Sequence, residues 1–261
     1  MLENPVTPLR SAEKAASRRE FMARGGRVER CPECLLTPAQ CICGERPAPG
    51  GQVAVCLLYF HGEVFKPSNS GRLVADILTD NHAFRWHRTE PQAELLALLA
   101  NPAYAPVIVF PFQYADAERQ LNTQERLQQY LQQPAPDGQS RIPMMVLLDG
   151  TWREARKMFR SPWLNHLPVL GIEPTAARDY RLRESYHPHQ LGTAEVTVDI
   201  LHALGDSERA AVLEQYFELF KVRYLAGKPW MHGQGADTDT ADHNNQHNNN
   251  QHGNNQHNNS E

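Results

Sequence analysis

Short, continuous apolar runs that alternate with helical patterns constrain the fold of this chain more than any other feature. The clearest runs are Val53–Phe60, Val107–Phe112 and Met144–Leu148, each five to eight residues long. Strands that are apolar on both faces are typical of a parallel sheet covered by helices on both sides. The sequence therefore predicts an α/β domain with a mainly parallel sheet and helices on both faces.

Weaker patterns between these runs complete the predicted order of elements. Two further short strands are predicted at Phe84–His87 and Val169–Ile172. Apolar residues spaced by three and four predict helices over 71–78, 93–99, 115–133, 152–159, 194–203 and 208–225. Parallel sheets bind ligands beyond the carboxyl ends of their strands, so the residues that follow each run are candidate site residues.

Four cysteines lie close together in the segment CPECLLTPAQCICG. Cys31 and Cys34 form a C-x2-C pair, and after six intervening residues Cys41 and Cys43 form a C-x-C pair. Four thiolates at this spacing suit a closed tetrahedral zinc site without a catalytic position. An iron–sulfur cluster and disulfides are alternatives, but disulfides need an oxidising compartment, which nothing in the sequence indicates. We predict a structural zinc module with its linker over residues 30–50, and a buried position for the fifth cysteine, Cys56.

The net charge of −4 is unevenly distributed along the chain. The charged residues after position 231 are Asp237, Asp239, Asp242 and Glu261, and without them basic and acidic residues are equal in number. A neutral body does not indicate a chain coated with nucleic acid, but it allows local basic patches. One candidate patch is Arg10, Lys14 and Arg18 on a basic helix predicted within residues 1–29. The other is Arg153, Arg156 and Lys157, and either set alone also suits a solvated helix face.

The ends of the chain carry no feature of a membrane or secreted protein. No stretch approaches the about 20 apolar residues of a membrane-spanning helix, and the N-terminal segment lacks the apolar core of a secretory signal. We therefore expect no membrane partner and a cytoplasmic location. The segment 232–261 is rich in His, Asn and Gln and has no large apolar residue, so we expect a disordered tail.

Asp149 directly follows the apolar run Met144–Leu148, and Thr151 follows it at the start of the next predicted helix. This order places a carboxylate beside the free N–H groups of a helix start. An Asp/Thr helix cap followed by a packing tryptophan, Trp152, would give the same pattern.

Two other predicted helices also start with capping residues. Ser70 ends the polar loop after Val53–Phe60, and Thr193 starts the helix that carries Glu195. Such helix starts hold carboxylates or phosphates. The sequence contains neither G-x-G-x-x-G nor a Walker A motif, which excludes a standard dinucleotide or P-loop site. The cap-rich loops suit a small ligand with a carboxylate and a ribose.

Four segments in the same order, CPECLLTPAQCICG, FKPSNSGRL, LLDGTWREARKM and LGTAEV, resemble the DTW-domain family of tRNA-uridine aminocarboxypropyltransferases. Asp149, Thr151 and Trp152 match the family's Asp-x-Thr-Trp signature, and the resemblance covers about residues 28–226. It implies transfer of the 3-amino-3-carboxypropyl group from S-adenosylmethionine to N3 of a uridine in the variable loop of tRNA, giving acp3U. The resemblance also implies kinship with an rRNA aminocarboxypropyltransferase, and through that kinship a knotted, SPOUT-like methyltransferase fold.

The resemblance assigns expected roles to particular residues of a DTW catalytic domain over 51–231. Asp149 is expected to accept the uridine N3 proton, which partial burial would favour by raising its pKa, or to hold the ammonium of the cofactor. The expected cofactor-binding residues are Thr151, Trp152, Ser70, Thr193 and Glu195. Arg153, Arg156 and Lys157 are expected to contact tRNA phosphates.

The expected groups and partners are S-adenosylmethionine as co-substrate, structural zinc and tRNA, without an obligate protein partner. Two alternatives stay open. One is an RNA methyltransferase that uses the same cofactor. The other is a non-catalytic zinc-knuckle adaptor that binds RNA, for which loss of Asp149 would have no consequence.

Overall fold

A single parallel sheet organises residues 4–17, 28–171 and 192–227, which are the residues that this computed structural model describes. Its strands are β1 (Ala54–Tyr59), β2 (Asn81–Arg85), β3 (Tyr104–Val109), β4 (Ile142–Asp149) and β5 (Val169–Leu170). Every pairing is parallel, and the strand order is β2-β1-β4-β3-β5. The predicted parallel α/β sheet is confirmed.

Helices cover both faces of this sheet. They are α1 (Val6–Ala16), α2 (Gly71–Ile77), α3 (Ala93–Ala100), α4 (Gln124–Leu131), α5 (Trp152–Phe159), α6 (Thr193–Ala203) and α7 (Ser207–Ala226). Alternate side chains of a strand point to opposite faces. Val55 and Leu57 of β1 accordingly pack with α2, α6 and α7, whereas Cys56 and Leu58 pack with α3 and α5. The predicted two-sided covering is confirmed, and Cys56 is a buried core residue.

The helix predicted over 115–133 is wrong in its first half. The N–H of Leu121 donates to the carbonyl of Val169 at 2.8 Å, and Gln120 forms a parallel bridge with the same residue of β5. Because residues 120 and 121 pair with β5, the helix begins only at Gln124. Thr123 caps it by accepting the N–H of Arg126 at 3.2 Å. Helical spacing in the sequence did not reveal the competing pairing with β5.

The cysteine module and the N-terminal helix share one core with the sheet. Leu36 of the module is buried in the same apolar cluster as Phe220 of α7. Asp76 of α2 lies at this junction, and its carboxylate accepts hydrogen bonds from Asn4 at 2.7 Å and from the Tyr216 hydroxyl at 3.2 Å. The same carboxylate forms an ion pair at 3.0 Å, and its partner is Arg46. Segments 4–17 and 30–50 therefore pack as parts of the α/β unit.

Arg10 does not belong to a surface basic patch. Its guanidinium is buried and donates to the carbonyls of Pro32 and Glu33 in the cysteine module. The spacing of Arg10 and Lys14 is that of a solvated helix face. Arg10 is buried instead, because backbone carbonyls between Cys31 and Cys34 accept its hydrogen bonds.

Some predictions fall outside the described residues. These are the position of Arg18, the end of the fifth strand at Ile172 and the disordered tail over 232–261. Residues 172–191, which join β5 to α6 along the chain, also lie outside the described residues. The knotted threading therefore stays a prediction. Within the ranges that the structure does describe, no helix combines the length and the apolar character needed to cross a membrane.

Candidate active site

The carboxyl ends of β1 and β4 meet at the point where the connections of the sheet diverge. The chain leaves β1 toward β2 on one side and leaves β4 toward β5 on the other. Tyr59 and Asp149, the last residues of these strands, are paired in register. The N–H of Phe60 donates to the Asp149 carbonyl at 2.9 Å. In open parallel sheets such a divergence forms the crevice in which ligands bind.

Two segments of the chain donate hydrogen bonds to the Asp149 carboxylate at this crevice. Asn69 Nδ2 donates to Asp149 Oδ1 at 2.7 Å, and Thr193 Oγ1 donates to Oδ2 at 3.3 Å. Asp149 is only 2 % exposed. The Tyr59 hydroxyl lies 3.5 Å from Asn69 Oδ1. These four side chains form the Asp149 cluster.

The Tyr59 hydroxyl stays protonated in this cluster. Burial, and after it the charge of Asp149, raises the pKa of Tyr59 well above its usual value. A protonated phenol is a donor, so it suits the oxygen-rich surroundings.

Gly71, the first residue of α2, allows its helix to lie against Asp149. A Cβ at this position would lie 2.3 Å from Asp149 Oδ2 and 2.9 Å from the Tyr59 hydroxyl. Both contacts are shorter than real Cβ atoms show, and the neighbouring groups are buried. The glycine therefore sets the distance between α2 and the carboxylate.

We expect Gly71→Ala to destabilise the protein by about 1–3 kcal/mol, as overpacking of a buried site does. Helix propensity alone would change stability in the opposite direction, by about 1 kcal/mol. Denaturant unfolding measures the difference.

Gly44→Ala is the matched control, because a Cβ there has no atom within 4 Å. Equal free energies of unfolding for the two variants would contradict the close packing of α2 on Asp149.

The structure separates the predicted cofactor-binding residues into two groups. Ser70 precedes the first residue of α2, and its hydroxyl accepts the N–H of Ala194 at 3.2 Å. Glu195 accepts the N–H of Gly192 at 2.9 Å and so closes the first turn of α6. Thr193, Ser70 and Glu195 are therefore assembled together where α6 meets α2.

Thr151 lies apart from this group. Its side chain is exposed, and both its N–H and its hydroxyl donate to Glu154 Oε2 at 2.7 Å. The N–H of Thr151 is therefore already hydrogen-bonded to Glu154 within the first turn of α5.

Trp152 takes part in an aromatic cluster beside the carboxyl end of β4. Its ring stacks on Phe110 with centroids 5.4 Å apart and planes 10° apart, and Tyr114 contacts it edge-on at 5.5 Å. The Arg156 guanidinium lies over Tyr114, 5.0 Å from the ring centroid. Trp152 is half-buried, so part of its ring system is open to solvent.

The three predicted tRNA-binding residues differ in exposure. Arg153 and Lys157 are exposed and lie one helical turn apart on α5, whereas Arg156 is half-buried on Tyr114. Arg153 and Lys157 therefore form the accessible part of this basic face.

The four cysteines converge as the sequence predicted. Cys31 Sγ lies 3.7 Å from Cys43 Sγ, and Cys34 Sγ lies 3.7 Å from Cys41 Sγ. All four sulfurs lie within 4.8 Å of one another. Zn–S bonds of about 2.3 Å place the sulfurs of a tetrahedral site about 3.8 Å apart. The donor set therefore fits one zinc ion, and all four cysteines are free thiols in this structure.

The turn between the first two cysteines prepares the site for a metal. Burial disfavours the Cys31 thiolate, but backbone hydrogen bonds from Cys34 and Glu33, together with side-chain hydrogen bonds from Cys41 and Cys43, lower the pKa of Cys31 to about 7. Leu35 adopts a left-handed φ of 58°, which closes the turn. Zinc binds thiolates, so this turn presents one ligand already ionised near neutral pH.

Tyr59, Asn69 and Gly71 are site residues that sequence reasoning did not single out. Asn69 and Gly71 lie in the FKPSNSGRL segment, of which the sequence predicts only Ser70 as a site residue, in the role of a helix cap. In the structure the Ser70 side chain forms no cap hydrogen bond with α2 and accepts the N–H of Ala194 instead. Tyr59 lies within an apolar run and suggested only packing. The available signal in the sequence was the polar hydroxyl of Tyr59 near the end of a buried apolar run.

Fold and site together define an α/β protein with a buried carboxylate at the divergence of its parallel strands and a four-cysteine metal module. The chain belongs to the DTW-domain family, whose model, described as the DTW domain, matches residues 28–225. No solved structure matches the chain. Membership of this family is consistent with a tRNA-modifying function.

Proposed function

We propose that this chain transfers the 3-amino-3-carboxypropyl group from S-adenosylmethionine to N3 of a uridine in the variable loop of tRNA. The observation that carries the proposal is the placement of Asp149, the first residue of the family's signature, in the crevice between β1 and β4. In the reaction a bond forms between N3 and the aminocarboxypropyl methylene, and the bond from that carbon to sulfur breaks. The N3 proton leaves, and methylthioadenosine is the second product.

In this scheme the residues of the chain hold and orient the reacting groups, and they do not supply a metal-activated group. The four cysteines fit a closed site of four thiolates, so a zinc ion bound there would supply structure and no open coordination position. Thr193 and Asn69 hold the Asp149 carboxylate in one orientation. Holding the methylene in line with N3, and the methyl group out of reach, selects among the three carbons on sulfur.

Asp149 has two possible tasks in this scheme. As a base it takes the N3 proton, and as an anchor it holds the cofactor's ammonium. In either task its geometry depends on the hydrogen bonds from Asn69 and Thr193. Trp152, half-buried at the same end of the sheet, offers a ring on which adenine or the target base stacks.

The decisive experiment combines purified protein, unmodified tRNA and S-adenosylmethionine labelled either in the aminocarboxypropyl carbons or in the methyl group. We expect nucleoside mass spectrometry to find only the first label in tRNA, on uridine. Methyl label in tRNA would instead support the methyltransferase alternative. Neither label in tRNA, together with no binding of the cofactor, would support the RNA-binding adaptor.

The basic face of α5 gives a separate prediction. Replacing Arg153, Arg156 and Lys157 with Gln should weaken tRNA binding and flatten its salt dependence. Each lost phosphate contact changes the slope of log K against log[salt] by about 0.7–0.9. We expect Arg153 and Lys157 to account for most of the change because they are exposed. Binding titrations at several salt concentrations measure the slope.

A single Lys157→Gln substitution tests one of these residues alone. Its control is Lys221→Gln on α7, because Lys221 already forms an ion pair with Glu218. If all variants keep the wild-type slope, these residues belong to a solvated helix face.

A further inference from the structure

Two aromatic rings stack beside the candidate active site, at the carboxyl ends of β1 and β2. Phe60 directly follows β1 and Trp86 directly follows β2. Their ring centroids are 5.4 Å apart and their planes 21° apart. The N–H of Trp86 donates to the Tyr59 carbonyl at 2.8 Å, so both rings are attached to the end of β1. We call Phe60 and Trp86 the aromatic pair.

The aromatic pair borders the Asp149 signature. The N–H of Phe60 donates to the Asp149 carbonyl at 2.9 Å, and a Cβ at Gly150 would lie 3.2 Å from the Phe60 Cβ. On the other side of β4, Phe110 follows β3, and Trp152 stacks on it. The strand order β2-β1-β4-β3 therefore puts two aromatic stacks in one row along the carboxyl edge of the sheet, with Asp149 and Gly150 between them.

The Trp86 ring is held in one orientation and keeps part of its surface exposed. Its Nε1 donates to Ser161 Oγ at 2.8 Å, and Ser161 is buried. The indole N–H is the only polar group of this side chain, and it is therefore already bonded. Phe60 and Trp86 both pack against the core on the α3 and α5 side of the sheet, and both are half-buried. The surface that they offer to a ligand is aromatic and suits a flat ring.

Basic side chains outnumber acidic ones around this row. Exposed cations lie directly after Trp86 and along α5, and they are Arg88, Arg153, Lys157 and Arg160. The acidic residues of the same two segments are Glu90 and Glu154, and Glu154 accepts the hydrogen bonds of the first turn of α5. Aromatic rings among cations suit single-stranded nucleic acid, because the phosphates meet the cations while unstacked bases lie on the rings.

We propose that the aromatic pair binds an unpaired nucleobase next to the target base in RNA, while the target base enters the crevice at Asp149. The proposal rests on the proposed function for the identity of this RNA as tRNA. The two neighbouring bases are then held apart along one edge of the sheet. Bases of a duplex are stacked on one another, so the aromatic pair selects a loop over a helix.

Photo-cross-linking of the full-length wild-type protein tests the contact itself. The probe is a short single-stranded RNA that carries iodouridine, and peptide mass spectrometry maps the cross-linked residue. We expect cross-links on Trp86 or Phe60. Cross-links confined to other residues, or none at all, would overturn the proposal. No variant is needed, so the result does not depend on the folding of one.

Trp86→Leu should weaken binding of the same RNA by about 5- to 150-fold, the range for one stack of a base on an aromatic ring. The slope of log K against log[salt] should stay unchanged, because stacking releases no counterions. Trp86→Phe keeps a ring and should retain most of the affinity. Binding of a duplex with the same sequence should be equal in wild type and variants.

Tyr104→Leu is the matched control. Tyr104 is also a half-buried ring on the α3 and α5 side of the sheet, but it is the first residue of β3, at the opposite edge. This variant should bind the RNA as the wild type does, and thermal unfolding shows whether each variant is folded. Wild-type affinity of folded Trp86→Leu, or an equal loss for single strand and duplex, would overturn the proposal.

The outcome is separable from that of the transfer assay. If the wild type modifies tRNA but its cross-links avoid the aromatic pair, this proposal fails and the proposed function stands. If cross-links fall on the aromatic pair but no aminocarboxypropyl label enters tRNA, the proposed function fails and the aromatic pair is still an RNA-binding site.

Discussion

Asp149→Asn should abolish most of the proposed transferase activity while the protein stays folded. Loss of a general base typically costs about 10²–10⁴ in rate. The fold should survive, because the amide oxygen of Asn can accept the Asn69 hydrogen bond while its NH2 group donates to the Thr193 hydroxyl. Steady-state transfer to unmodified tRNA and cofactor titration measure the two effects separately.

The pH profile of this variant distinguishes the two tasks of Asp149. If the carboxylate is the base, cofactor affinity stays nearly intact and the rate partly recovers at high pH, where N3 ionises without help. If the carboxylate holds the ammonium, affinity falls and high pH does not restore the rate. Asp137→Asn is the matched control, because Asp137 is exposed in a turn and accepts the N–H of nearby Gln139 at 3.0 Å. A wild-type rate for folded Asp149→Asn would remove Asp149 from the mechanism.

Cys34→Ser should release zinc and destabilise the protein by more than the about 1 kcal/mol of an average point substitution. Cys34 is 4 % exposed and lies in the same apolar core as α7, so loss of the metal leaves polar groups at a buried position. Structural zinc contributes strongly to folding, with apparent binding free energies of about 10–16 kcal/mol in zinc-finger peptides. Elemental analysis and thermal unfolding with and without a chelator measure both effects.

Cys56→Ser is the control for the same chemical change at a buried cysteine outside the module. It should retain one zinc per chain and show wild-type sensitivity to the chelator. Iron in freshly reduced wild-type protein, or no metal at all, would contradict the zinc assignment.

The sequence predicted those parts of the structure that depend on local pattern. Apolar runs located the strands, and the C-x2-C and C-x-C spacing located the sulfurs that converge within 4.8 Å. Asp149 was found because it ends a buried run, and the structure makes it the last residue of β4. Each of these features depends on residues that are close together in the sequence.

Contacts between distant segments could not be predicted in this way. Asn69 and Asp149 are 80 positions apart, and Thr193 reaches the same carboxylate from 44 positions away. Arg10 has the spacing of a solvated face, yet carbonyls at positions 32 and 33 bind it in the core. Polar residues become site residues here through tertiary hydrogen bonds that leave no periodic pattern.

The carboxylate of Asp76 makes the cysteine module inseparable from the α/β sheet in protein engineering. Its partners come from three places, Asn4 near the start of the chain, Arg46 beside the cysteines and Tyr216 in the last helix. A chain trimmed to begin at residue 51 would lose two of these partners and expose the apolar surface that Leu36 covers. Domain shuffling that exchanged or deleted the module alone would leave a buried charge without its cation, a change that is strongly destabilising. The module and the sheet must therefore be expressed as one unit.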